Sequence, residues 1–104
     1  MLIAALDDDD VQNVQAAARS LGMRAETSAA PALEAIAAGD GRGGRENPAR
    51  LEAIYALGRI GQSSSVPVLE QLARRRMFVG GGRAQELRAA AESALAKIKA
   101  KGND

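Results

Sequence analysis

The 104-residue chain has no cysteine, no histidine and no tryptophan, and a single Tyr and a single Phe. Each absence closes off something. Without cysteine there are no disulfides and no thiolate chemistry. Without histidine the commonest general base and the commonest metal ligand are missing. β-Branched and aromatic residues, which sheets favour, are scarce. No apolar run approaches the roughly 18 residues of a membrane span. The opening "MLIAAL" is too short for a secretory signal and lacks its basic flank. These gaps predict a cytoplasmic domain with no cofactor, no metal and no catalytic residue.

Alanine fills the space the large residues leave, as in "QAAARSL" (15–21) and "LRAAAESALAKI" (87–98). Alanine is the best helix former and lets helices approach closely. An all-α domain is therefore expected, and 104 residues suit one domain, 1–104. Charge is uneven although the net is +1. Residues 1–40 carry two Arg against seven acids, and residues 41–88 carry nine Arg against four. Such polarity can guide association.

The strongest signal is an internal repeat. "SLGMRAETSAAPALEAI" (20–36) aligns with "ALGRIGQSSSVPVLEQL" (56–72) at an offset of 36. Leu21, Gly22, Pro31, Leu33 and Glu34 fall on Leu57, Gly58, Pro67, Leu69 and Glu70. A third partial copy, 87–98, matches 49–60 at an offset of 38. A fixed period of this length signals stacked helical repeats. Each copy reads as two helices. The predicted helices are 11–21 and 30–38, then 48–60 and 66–76, then 84–101. Asp9 is the expected cap of the first, with Thr27 or Ser28, Asn47, and Ser64 or Ser65 capping those that follow. Gly39, Gly61 and Gly102 are the expected stops. Lys97, Lys99 and Lys101 complement the negative end of the last helix. "LIAAL" (2–6) reads as the tail of an earlier copy, and the third copy stops after one helix. The chain is thus expected to be a fragment or terminal module of a longer array.

The pattern R-x-x-A-x-x-A-L-G-x-I-G, a short turn, then V-P-x-L-x-x-L stands here as Arg50, Ala53, Ala56-Leu57-Gly58, Ile60-Gly61, Val66-Pro67, Leu69 and Leu72. It resembles the HEAT-like repeats of bacteria, including those of phycobilisome lyases. Copy one departs from it, with Met23 in place of the isoleucine and no second glycine. The resemblance implies a right-handed α-solenoid of antiparallel helix pairs, here about two and a half repeats. It also implies a non-catalytic protein-interaction scaffold, with first helices on the convex side and second helices on the concave side.

Three stretches invite functional readings. "GRIGQSSS" (58–65) has glycines three apart, no following Lys and no preceding strand, so it is no phosphate loop. It has no closing glycine after a serine and no histidine to serve it, so it is no nucleophile elbow. Gly58 instead allows close helix approach, Gly61 ends the helix, and the serines make the turn. "DDDD" (7–10) runs straight into a helix and lacks the alternating ligands of a calcium loop. The arginines remain. Arg42 and Arg45 in one linker, and Arg74, Arg75, Arg76 and Arg83 around the other, suggest a basic rim for an acidic partner or for nucleic acid. On the second helices, Glu34, Glu70, Gln71 and Arg74 are the expected outward, partner-facing positions. Phe78 is expected to plug the core, and Tyr55 to sit in a helix interface with its hydroxyl near the surface. Handling of a tetrapyrrole, as in some relatives of the resembled family, and self-association through uncapped ends are the further partner readings.

Overall fold

The computed structural model describes residues 6, 10–39, 47–74 and 81–102. All regular structure among them is helical. The elements are α1 (Val11–Met23), a 3-10 turn (Thr27–Ala29) leading into α2 (Ala30–Ala38), α3 (Asn47–Ile60), a second 3-10 turn (Ser63–Ser65) leading into α4 (Val66–Arg74), and α5 (Gly81–Gly102). Both 3-10 turns, both second helices and the starts of α1 and α3 lie 36 residues apart, so the sequence period is a structural period.

Helices α1, α3 and α5 lie side by side with α3 in the middle. α2 packs on α3 and α4 packs on α5, so each second helix is seated on the first helix of the next copy. This is an all-α solenoid. Its interior holds Leu21, Leu33, Ile54, Leu57, Ile60 and Leu69, each almost wholly buried, interleaved with Ala17, Ala18, Ala37, Ala53, Ala56, Ala91 and Ala94.

The alanines and two glycines set how near the first helices come. A Cβ on Gly22 would lie 2.7 Å from the Cα of Ala56, and one on Gly58 would lie 3.0 Å from the Cα of Ala94. Ala56 and Ala94 are themselves 38 residues apart. The same glycine-on-alanine joint therefore occurs twice, once between each pair of neighbouring first helices.

Helix ends follow the expected logic with several corrections. Asp10, not Asp9, is the N-cap of α1, and its carboxylate accepts from the Gln12 N–H at 2.9 Å. α1 runs to Met23 rather than Leu21, because its end is a Schellman turn. The Ala25 N–H donates to the Gly22 carbonyl and the Glu26 N–H to the Leu21 carbonyl, both at 3.1 Å. That turn forces Ala25 into the left-handed region at φ 52°, where copy two has Gly61 at φ 72°. In this register Arg24, not Met23, stands opposite Ile60, and Met23 is 68% exposed.

The hydroxyls expected as caps lie within the 3-10 turns instead, and α2 has no side-chain cap. Gly39 does end α2, at φ 94°. Asn47, expected as the cap ahead of Pro48, is instead the first residue of α3. α5 begins at Gly81 rather than Ala84. Its terminal turn is where glycine's poor helix propensity matters least. Lys99 and Lys101 lie in the last turn of α5, where their charge complements its negative end, and Lys101 also reaches a neighbouring helix. Its ammonium donates to the Ile60 carbonyl at 3.0 Å and so caps α3. Phe78 lies outside the described residues. No helix among those described is long and apolar enough to cross a membrane.

Candidate interaction surface

The first helices build a groove across the row. Arg19 comes from α1; Glu52, Tyr55, Ala56 and Arg59 come from α3; Lys97 comes from α5. Together they line a concavity of about 300 Å³. Arg19 Nη2 donates to Glu52 Oε1 at 3.1 Å, with the Arg exposed and the Glu largely covered. Among the described residues neither Arg59 nor Lys97 has an ion-pair partner. A Cβ on Gly58 would lie 3.6 Å from the Lys97 Cδ, so the lysine stem runs beside the joint at ordinary contact distance.

Tyr55 also borders a second concavity of about 350 Å³, lined by Leu51, Glu86, Ala89, Ala90 and Ser93. Tyr55 is 42% exposed, more than the helix-interface position with only its hydroxyl near the surface would leave. Facing it across the joint, α5 offers the small Ala89 and Ala90, which leave part of the ring uncovered.

The second helices look different. Glu34 on α2 is half-buried, and its carboxylate accepts from the buried Ser65 hydroxyl at 3.0 Å. That contact ties copy one to copy two. Glu70 is half-buried, while Gln71 and Arg74 are exposed on α4. Arg42, Arg45, Arg75 and Arg76 lie outside the described residues. Arg83 falls within the first turn of α5 rather than in a linker. Of the six rim arginines only Arg74 and Arg83 fall among the described residues. The structure gathers a set of cations on the first helices that the sequence reading passed over. The signal for it existed: Arg19 and Tyr55 are 36 apart, and Arg59 and Lys97 are 38 apart, so each pair shares one register position.

The Arg50 side chain shows why the repeat pattern begins with an arginine. Its Nε donates to the Ala37 carbonyl at 3.2 Å, at the end of the preceding second helix. Gly39 lies against the same guanidinium. The family model for HEAT repeats matches residues 1–96. No curated protein and no solved structure matches the chain. With nearly the whole length matched, and with its helices stacked at the period of its sequence, the chain belongs to the HEAT-repeat family.

Proposed function

We propose that the chain is a non-catalytic scaffold that presents a rigid helical-repeat surface to another protein, or to another domain of a longer array. HEAT repeats commonly serve in this way. The observation that carries the reading is the pair of glycine-on-alanine joints, at Gly22–Ala56 and Gly58–Ala94. Backbones this close leave little room to slide, so residues from three helices keep a fixed relative geometry. Fixed spacing is what a docking surface requires. The likeness to phycobilisome-lyase repeats suggests a further role, handling a tetrapyrrole; a visible-absorbance titration showing no pigment signal would dispose of that role.

Affinity capture with the wild-type chain tests the scaffold reading, and loss of the partner from R74A/R75A/R76A would assign it to the arginine rim. A protein partner retained in stoichiometric amount is expected. Recovery of nucleic acid alone, released steeply by salt, would replace it with the phosphate-binding alternative. Recovery of nothing would contradict both.

A further inference from the structure

We infer that the Tyr55 groove is the docking site for an acidic protein segment carrying one apolar anchor residue. The inference rests on the scaffold reading and gives it a surface and a partner chemistry.

Charge comes first. Three cations, Arg19, Arg59 and Lys97, share one concavity with a single carboxylate, Glu52, which Arg19 already engages. Arg59 and Lys97 are exposed and come from neighbouring helices, so the joint at Gly58 fixes how they sit relative to each other. Carboxylates arriving from a partner complement both.

Shape comes second. Beyond Tyr55 the groove changes character. Leu51, Ala89 and Ala90 give the second concavity an apolar lining, with Ser93 and Glu86 beside them. An aliphatic side chain seated there would bury the exposed part of the tyrosine ring. Tyrosine suits such a place, with an apolar body and a polar tip. Glu86 repels an acidic residue at this end. The two concavities therefore set a polarity, with acidic residues over Arg59 and Lys97 and the anchor beyond Tyr55. Nucleic acid fits less well. The groove offers one stacking ring, and Glu52 and Glu86 sit in its two halves where phosphates would have to pass.

The test uses the full 104-residue chain, isotope-labelled and observed by amide NMR. Three probes are titrated at low and at moderate salt: a twelve-residue Glu/Ser peptide with one central Leu, the same peptide with Lys for Glu, and a twelve-residue oligothymidylate. The acidic peptide should shift the amides of Tyr55, Arg59, Ala89 and Lys97. Changing its Leu to Ser should weaken it about tenfold. R59E/K97E should do the same or more while leaving the circular dichroism unchanged, since both residues are exposed. Y55S should weaken binding without altering its salt dependence. No binding of the acidic peptide, equal binding of the lysine peptide, competition by the oligothymidylate, or shifts confined to α2 and α4 would each overturn the inference. So would groove shifts that appear on concentrating the chain alone, which would give the groove to a second copy. If R59E/K97E still captures the same protein partner, the scaffold reading stands and the groove assignment falls.

Discussion

The two joints of the stack share a backbone geometry and differ in almost everything polar. In the first, Gly22 meets Ala56, Arg19 pairs with Glu52, Arg50 caps α2 and Ser65 binds Glu34. In the second, Gly58 meets Ala94 and Lys101 caps α3. The register positions of Arg19 and Glu52 hold Tyr55 and Ala90 there. The counterpart of Arg50 is Arg88, which pairs with Glu92 on its own helix at 3.6 Å, both exposed. The small-residue contact is the constant and the polar latches are the variables. Close approach is thus the structural requirement of the stack. The positions around it are free to carry function, and Tyr55 gathers at the second joint with Arg59 and Lys97, which have no ion-pair partner among the described residues.

The largest test strikes the core of the middle helix, which carries a partner of each joint. Leu57 is fully buried in the middle helix, whereas its counterpart Leu95 is half-buried on the last. Leu57→Ala should cost about 2–5 kcal/mol and Leu95→Ala clearly less, by urea unfolding. Equal costs would mean that α3 has no special place between the joints.

Next is the joint itself. Gly22→Ala puts a methyl 2.7 Å from a backbone carbon and should destabilise by about 1–2 kcal/mol. Gly58→Ala meets the looser 3.0 Å contact. There the strain and alanine's helix preference nearly cancel, leaving a change within about 0.5 kcal/mol. The reverse order in thermal melts would show that the first joint is the looser one.

A pair of opposite sign follows. Gly61→Ala places a side chain at φ 72° and against the Lys101 stem, and should cost about 1 kcal/mol. Ala25→Gly relieves the same backbone conformation in copy one and should stabilise by about 0.5–1 kcal/mol. Should Ala25→Gly lower the melting temperature instead, the left-handed turn after α1 is not formed in solution.

The smallest effect belongs to the exposed latch. Arg19→Ala should change stability by no more than about 0.5 kcal/mol, because the arginine is solvated. What it does cost should fade as salt rises.

These joints also explain what could be read beforehand. Gly22, Gly58, Pro31 and Pro67 mark the repeat because backbone contact and helix starts demand those residue types, so element order and type were legible. The turn after α1 was not, because Ala25 occupies a position that normally announces itself with glycine. The serines misled because Ser65 looks like a cap in sequence, yet its hydroxyl reaches a carboxylate on the neighbouring copy, 31 residues back. The groove was missed for a related reason. Arg19, Tyr55, Arg59 and Lys97 come from three helices, and only their register positions connect them. The adjacent run "RRR" drew attention because local clustering is visible in a string and lateral clustering is not.

The stack as a whole rests on two close contacts, and nuclear Overhauser effects observe both directly. The Gly22 Hα should show a strong effect to the Ala56 methyl, and the Gly58 Hα to the Ala94 methyl, in the same sample of the intact chain. Both together would establish the repeated joint. A helical chain lacking either effect would contradict the account, since α1, α3 and α5 would then not lie side by side.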